Sequence, residues 1–256
     1  MAELPDLEVF SHILTRMYGG KVLEKVDVEV KKKLNVSAKA LKAQVEGHKL
    51  AAVKGSGRTL QLHFGEGRVL GLHLMLRGEL VALENEQPRF PVLIFYFKGG
   101  DGFALTDMQK QATSTLNPPA NNVPDAFELN YPSLKKILGG RRTLIETLLM
   151  DLKKIRGIGN SYSDEILYHA GISPFSVSGK IPGPEVKKLH KSMPSVLETA
   201  IKKIRKENGD ELRGELRDFM EIHGKGIMKT KKGEEVLSRE NWGKVNLLHK
   251  IPGTFA

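Results

Sequence analysis

A run rich in proline and asparagine, at residues 117–124, divides the chain into two parts whose hydrophobic residues repeat with different periods. Before this run, short segments alternate between apolar and polar residues, which is typical of β-strands. After it, apolar residues recur every three or four positions, which is typical of helices. The sequence therefore predicts an α+β protein in which a β domain precedes a helical domain.

The first part begins with a predicted helix at residues 6–18, which ends at Gly19-Gly20. Short strands follow at 22–30, 60–64, 69–76, 78–83, 92–97 and 102–106. Residues 98–101 read as a hairpin turn. Many short strands at close spacing are typical of a sandwich or barrel, so we predict a β domain of one of these two kinds over residues 1–116 and a linker over 117–132.

The helical domain is predicted at residues 133–224 and is followed by a basic tail at 225–256. Its helical segments are predicted at 133–138, 143–152, 161–170, 183–208 and 209–223. Pro194 lies inside the fourth of these segments and predicts a break or kink there.

The amino-acid composition excludes several classes of site and favours one class of partner. Lys and Arg number 40 against 30 Asp and Glu, and the net charge of +10 favours a polyanionic partner. The absence of cysteine excludes disulfides, thiolate nucleophiles and cysteine-based zinc fingers. No apolar stretch is long enough to span a bilayer and no signal peptide is recognisable, so we expect a cytoplasmic protein with no membrane partner.

The sharpest local motif is Lys153-Lys154-Ile155-Arg156-Gly157-Ile158-Gly159, after which a helix is predicted to begin at Asn160 or Ser161. Glycines let the backbone approach a phosphate closely, and the N-terminus of a helix attracts anions. Asn160 could add a donor, and Lys154 a charge that releases counterions. The same residues also fit an ordinary helical hairpin with its lysines in solvent.

Residues 149–174, centred on this motif, resemble the helix-two-turn-helix module of the formamidopyrimidine-DNA glycosylase/endonuclease VIII family. The opening Glu3-Leu4-Pro5-Asp6 resembles that of the family. Gly57-Arg58-Thr59-Leu60 stands where the family has Gly-Lys-Tyr-Leu, and residues 73–78 where it has His-Leu-Gly-Met-Ser-Gly. The resemblance runs in order along the chain and implies an N-terminal β-sandwich over residues 1–116 and a helical domain, which hold damaged double-stranded DNA between them without a cofactor.

The resemblance also implies a nucleophile, the α-amine of the first mature residue, which is Ala2 once Met1 is removed. An α-amine, with a pKa of ~7.7–8.0, is far more often neutral at pH 7 than a lysine and can form an imine. Glu3 matches the catalytic glutamate of the family. Ala2 replaces the usual proline, so a slower or altered lyase is expected. Arg58 replaces a lysine that donates a proton or binds phosphate, and arginine is a poor proton shuttle.

Contacts with DNA are implied in the same way. Leu76 occupies the position of an apolar wedge. In the loop at 106–111 the aromatic wedge of the family is missing, which leaves Gln109 to read a base edge and Lys110 to reach a phosphate; a merely polar loop is the alternative. The residues that fall on or beside phosphate-contact positions are His73, Arg141, Lys154 and Asn160.

Two further regions are basic. Residues 232–234 resemble the entrance to the family's zinc finger, but no ligand cysteines exist and His249 alone cannot hold zinc, so no metal is expected. We predict a hairpin without zinc that is packed by Trp242. Residues 252–255 stand where the family has an arginine at the tip of its zinc finger. The run Lys31-Lys32-Lys33 is interpreted as decoration of a surface loop.

These observations leave three hypotheses. The first is a monomeric DNA glycosylase of base excision repair that removes oxidised or modified bases, with β-elimination (AP lyase) activity through an N-terminal Schiff base. The second is a protein of the same fold that binds damaged or abasic DNA without turnover. The third is a general nucleic-acid or ribosome-associated module, against which the Glu3-Leu4-Pro5 opening argues.

Overall fold

The computed structural model describes residues 1–83, 87–212, 214–223, 227–230, 233, 235–241, 244–249 and 255; for 237–241 and 244–249 it describes the backbone. The chain divides into two compact units. The first comprises Met1–Asn121 and Ile204–Glu215, and the second comprises Asn122–Lys203 and Leu216–Ala256.

The first unit is a sandwich of two antiparallel four-stranded sheets, as predicted. The strand order is β1-β6-β7-β5 in one sheet and β2-β3-β4-β8 in the other. The elements are α1 (Leu4–Tyr18), β1 (Leu23–Val28), α2 (Ala38–Val45), β2 (Leu50–Ser56), β3 (Thr59–Phe64), β4 (Arg68–His73), β5 (Glu79–Ala82), β6 (Pro91–Phe97), β7 (Gly102–Thr106) and β8 (Thr113–Leu116).

One buried apolar core joins the two sheets and α1. Along β3 every second side chain is buried, as expected for a strand with one face in the core. The ring of Tyr18 stacks on Phe97 with centroids 4.7 Å apart, and its hydroxyl donates to the Gly102 carbonyl at 2.6 Å. Burial, followed by the charge of Asp101, raises the pKa of Tyr18 to about 12.

Three elements of this unit were not predicted: α2, β2 and β8. In β2 the pairing register with β3 shifts between Leu50 and Ala52. Such a bulge shifts the alternation of apolar and polar residues, so Leu50 and Val53, three positions apart, are its buried side chains. A pattern search for strict period two therefore misses this strand.

The second unit is mainly helical, as predicted. Its elements are α3 (Tyr131–Leu138), α4 (Ile145–Leu149), α5 (Asn160–Ala170), most of α6 (Gly183–Asn208), β9 (Val236–Asn241) and β10 (Lys244–His249). The strands β9 and β10 pair as an antiparallel hairpin. Among the described residues, no helix is both long and apolar enough to cross a membrane.

The segment predicted as a linker, 117–132, is ordered and is divided between the units at Asn121. In the first unit, Asn117 donates its N–H to Val69, and its side chain accepts the Val69 N–H at 3.0 Å. In the second unit, the Pro124 carbonyl accepts the Arg156 N–H at 3.0 Å. These residues cannot continue a helix, but their backbone groups find partners outside regular structure.

The structure corrects two helical predictions. The helix α6 is continuous through Pro194, so the break that was one of the two alternatives predicted there is absent. A proline removes one hydrogen bond from this helix of 26 residues, whose buried side chains Leu189, Met193 and Leu197 continue on both sides. The helix predicted at 209–223 is absent: Gly209, with a left-handed φ of 55°, ends α6, and the described residues after it form turns, bends and irregular backbone.

Candidate functional site

The amino terminus of the first unit is buried. Glu3 is the N-cap residue of α1, and its N–H donates to Asp6 Oδ2 at 2.8 Å, while its side chain accepts the N–H of Asp6 in a reciprocal capping box. Ala2 and Glu3 are 6% and 3% exposed. Chain ends are usually poorly ordered, so a terminus held in this way has a fixed position.

Ala2 lines a cavity of about 260 Å³ in the first unit. Its wall is mostly apolar and includes Leu74, Leu76, Leu80, Arg77 and Glu215. The amine of Met1, which also lines the cavity, forms an ion pair with the Glu215 carboxylate. A mostly apolar pocket with a few convergent charged groups is the usual form of a small-molecule site.

Arg58 and His73 lie beside this terminus. Arg58 follows Gly57, whose φ of 61° suits a glycine in the turn between β2 and β3, and its Nη1 is 3.9 Å from Met1 Sδ. Burial, and then the charge of Arg58, lower the pKa of His73. The neutral ring accepts the Met75 N–H at Nδ1, at 3.0 Å, so Nε2 carries the proton and is the donor.

Leu76 stands on a tight turn at residues 74–78. Met75 has a φ of 57°, and the Gly78 N–H donates to the Leu74 carbonyl at 2.9 Å. A Cβ on Gly78 would lie 2.2 Å from that carbonyl oxygen, so the turn requires glycine. Leu76 is 62% exposed, as a side chain that inserts into a partner must be.

The loop with Gln109 and Lys110 is organised by Asp107, which is 1% exposed. Its carboxylate accepts three backbone N–H groups, those of Gln109, Gln111 and Ala112, at 2.7–2.9 Å. Lys110 takes the left-handed φ of 54° that this arrangement needs. An aspartate that binds the backbone of following residues is the sequence signal of such a turn.

Met108 in this loop was not predicted from the sequence as a site residue. The side chain is 64% exposed and is the apolar group that the loop presents in place of an aromatic residue. Met108 and Arg77 line a second cavity, of about 340 Å³, so the loop and the 74–78 turn are neighbours in the first unit. The loop therefore presents one apolar side chain beside its polar ones.

In the second unit, the Gly-x-Gly motif connects α4 to α5. The basic residues at 153–156 follow α4 rather than forming its last turn, and Asp151 accepts the N–H groups of Lys153, Lys154 and Ile155 at 2.8–3.0 Å. Gly157 has a φ of 93°. The helix α5 begins at Asn160, one of the two predicted starting residues, and its N-cap is the extended Gly159.

Lys154 and Asn160 thus belong to one turn at the N-terminus of α5, where the first N–H groups of any helix lack acceptors within the helix. Arg141 belongs to another turn, after α3. Its Nε donates to the Ile137 carbonyl at 2.7 Å, and its own carbonyl accepts the Gly179 N–H at 3.1 Å. A Cβ on Gly179 would lie 2.7 Å from that carbonyl oxygen.

The structure therefore brings Ala2, Glu3, Arg58, His73 and Leu76 to one region of the first unit. Glu215 was not predicted from the sequence as a site residue, because the segment that carries it was predicted as a helix. Trp242 and residues 252–254 lie outside the described residues, as do residues 232 and 234 and the side chain of His249. Within the described part of the chain, no three His, Asp or Glu side chains form a group that could hold a metal ion.

Both units match known protein families. Residues 1–114 match the formamidopyrimidine-DNA glycosylase N-terminal domain, and residues 122–209 match the formamidopyrimidine-DNA glycosylase H2TH domain. A formamidopyrimidine-DNA glycosylase of Desulforamulus reducens is 30% identical over 222 residues, which cover 79% of this chain and 78% of the relative. One of Streptococcus mutans is 26% identical over 247 residues, covering 88% and 89%.

Solved structures share the fold. Lactococcus lactis Fpg in complex with DNA that contains an abasic site has a TM-score of 0.85 at 20% identity, covering 97% of this chain and 98% of that one. A complex of the wild-type Lactococcus lactis protein with N7-benzyl-Fapy-dG DNA has a TM-score of 0.84 at 20% identity, covering 96% and 97%. The similarity extends over both units.

Proposed function

Because this chain belongs to the formamidopyrimidine-DNA glycosylase/endonuclease VIII family, we propose that it is a DNA glycosylase of base excision repair. Its substrate is double-stranded DNA with an oxidised or modified base, and its second activity is β-elimination at the resulting abasic site. The relatives of known structure bind DNA with an abasic site or a Fapy-dG derivative, which makes these lesions the first probes.

The observation that carries the proposal is the position of Ala2. It is buried beside Glu3 at the wall of the 260 Å³ cavity, in a terminus that the capping box holds in place. A small residue after the initiator methionine favours removal of Met1. Its removal would free the Glu215 carboxylate from the Met1 amine and present the Ala2 amine to the cavity.

The reaction needs an uncharged amine and a source of protons. The neutral Ala2 amine bonds to C1′ as the N-glycosidic bond breaks; the base leaves with the electron pair of that bond and takes up the proton that the nitrogen then loses. Glu3 donates a proton to the ring oxygen of the deoxyribose, the bond between C1′ and that oxygen breaks, and the nitrogen lone pair forms a protonated imine with C1′. Loss of a proton from C2′ then expels the 3′-phosphate, with the protonated imine as the electron acceptor.

The remaining site residues hold the DNA. His73 presents its Nε2–H to a phosphate, and Arg58 can bind a phosphate through two donors. Leu76 fills the gap left by the extruded nucleotide, with Met108 and Gln109 on the neighbouring loop. In the second unit, Lys154 and Asn160 bind phosphate at the start of α5, and Arg141 binds it after α3.

The test compares two forms of the protein, both released by the same protease. One form begins at Ala2, and the other carries one added glycine before Ala2. Each is incubated with duplexes that contain an abasic site, 8-oxoguanine or a formamidopyrimidine, with and without borohydride, which reduces imines to stable adducts. The chain that begins at Ala2 should release base and form an adduct. The glycine-extended chain, with equal circular dichroism, should lose most of both activities.

The outcomes separate the hypotheses. Lesion-specific binding without base release or adduct would contradict the proposed enzyme and identify a binding protein of the same fold. Equal affinity for damaged and undamaged duplexes, again without chemistry, would instead identify a general nucleic-acid-binding module.

A further inference from the structure

The run Lys31–Lys33 is not a decorated loop, as interpreted from sequence, but a short 3-10 helix fixed against the edge strand β8. Immediately after it, Leu34 forms a β-bridge with Ser114. Asn35 then bonds Leu116 twice: its Nδ2 donates to the Leu116 carbonyl at 3.0 Å, and its Oδ1 accepts the Leu116 N–H at 2.7 Å. The backbone that carries the lysines therefore has a defined position on the first unit.

The same run contacts the loop that carries the proposed base-reading residues. Lys33 Nζ donates to Gln111 Oε1 at 2.9 Å, and the N–H of Gln111 is held by the Asp107 carboxylate at 2.7 Å. The Gln111 amide also donates to the Gln109 carbonyl at 3.3 Å. A lysine run and a loop that are far apart in sequence are thus one surface.

The charge of this surface is not neutralised within the described part of the chain. Lys31, Lys32 and Lys110 are exposed, and no ion pair among the described residues involves them. By contrast, Lys25 of the same unit pairs with Asp27 at 2.7 Å. Exposed ammonium groups that have no ion-pair partner among the described residues, on a backbone of defined position, suit a polyanionic partner, which is the chemistry of a sugar–phosphate backbone.

We propose that Lys31, Lys32 and Lys33, together with Lys110, form a phosphate-binding strip for duplex DNA. The strip extends the contact of the 107–111 loop along the backbone and contributes affinity that does not depend on the damaged base. This inference rests on the proposed function, because it takes DNA as the partner.

The experiment compares K31A/K32A with a matched control, K49A/K98A. Lys49 and Lys98 are also exposed and lie beside Val22: Lys49 forms a β-bridge with Val22, and the N–H of Lys98, the residue after β6, donates to the Val22 carbonyl at 2.9 Å. The strip lies at the opposite end of β6 from Lys98, because the Val92 carbonyl, near the start of β6, accepts the Val30 N–H beside the lysine run. The seven residues of β6 separate the two ends of this strand by about 20 Å. Both variants remove two charges, so a general effect of net charge would appear equally in both.

Binding of a duplex with a tetrahydrofuran abasic analogue is measured by fluorescence anisotropy between about 50 and 200 mM salt. Removing one lysine that binds a phosphate should flatten the slope of log affinity against log salt by about 0.9. We expect K31A/K32A to lower the magnitude of the slope by about 1 to 2 units, and by the same amount on the damaged and the undamaged duplex. The slope for K49A/K98A should equal that of the wild type. The yield of borohydride-trapped adduct at saturating protein should stay at the wild-type level.

Equal slopes for K31A/K32A and the wild type would overturn the strip while leaving the proposed function intact. Equal flattening in both double variants would also overturn it, because net charge alone would then explain the effect. A wild-type chain that binds neither duplex would overturn the proposed function and the strip together.

Discussion

The cavity at the amino terminus and the turn before α5 are built from the sequence in opposite ways. The cavity and its surroundings gather Ala2, Arg58, Leu76 and Glu215 from segments that are far apart along the chain. The turn consists of consecutive residues, 153–160, whose geometry follows from one left-handed glycine and one extended glycine. The first site depends on the whole sandwich, whereas the second depends on local backbone.

This difference predicts different sensitivities. A substitution at the cavity should change chemistry while leaving the affinity for DNA nearly intact. A substitution in the turn should change affinity while leaving the chemistry of bound DNA intact. The predictions below test this separation, beginning with the largest expected effect.

Glu3→Gln should lower base release and adduct formation by about 100-fold or more at saturating protein, because a positioned proton donor contributes on that order. Glutamine can still accept a hydrogen bond in the capping box, so the fold should persist. Single-turnover kinetics measure the effect. Asp6→Asn, which alters the other partner of the same capping box, is the control and should retain most activity; equal losses in both variants would indicate a structural role for Glu3.

Gly157→Ala should weaken binding to damaged and undamaged duplexes alike, by roughly 10-fold. A φ of 93° strains any residue with a Cβ by about 1–2 kcal/mol, and a shift of the turn that relieves this strain displaces the groups that bind phosphate. Gly171→Ala is the matched control, since Gly171 also has a positive φ, of 68°, at the other end of α5. Anisotropy titrations measure both. If Gly157→Ala bound normally but lost adduct formation at saturation, the two sites would not be separable.

The smallest effect concerns pH. Burial lowers the pKa of His73, so folding favours its neutral form, and the unfolded chain takes up the proton more readily as pH falls below about 6.5. The free energy of unfolding should therefore fall between about pH 7.5 and 5.5, and by less in His73→Gln, as urea titrations would show. His63, whose pKa burial also lowers, remains in the variant and accounts for a residual decline. An identical decline in both proteins would contradict this account of His73.

The sequence predicted what depends on local pattern. Residues close together in the sequence predict three features: the helix α1, which ends before Gly19, the hairpin turn at 98–101, and the start of α5 at Asn160. The resemblance to a known family added the association of Ala2, Glu3 and Arg58, which no local pattern contains.

What the sequence did not predict depends on tertiary contacts. The place of Glu215 in the cavity wall could not be predicted, because the apolar spacing at 209–223 is typical of a helix that the described residues of this segment do not form. The lysine run acquires its position from Asn35 and Gln111, the second of which is nearly 80 residues away along the chain. Pairings of this kind appear only when the sandwich is folded.

The central claim, that the α-amine of Ala2 is the nucleophile, is tested most directly by mapping the borohydride-trapped adduct. After reduction with an abasic duplex, the protein is digested and its peptides are analysed by mass spectrometry. The account predicts that the deoxyribose remnant is attached to the peptide that begins at Ala2, at its α-amine. Attachment to a lysine side chain, or a peptide that still begins with Met1 in the active protein, would contradict it.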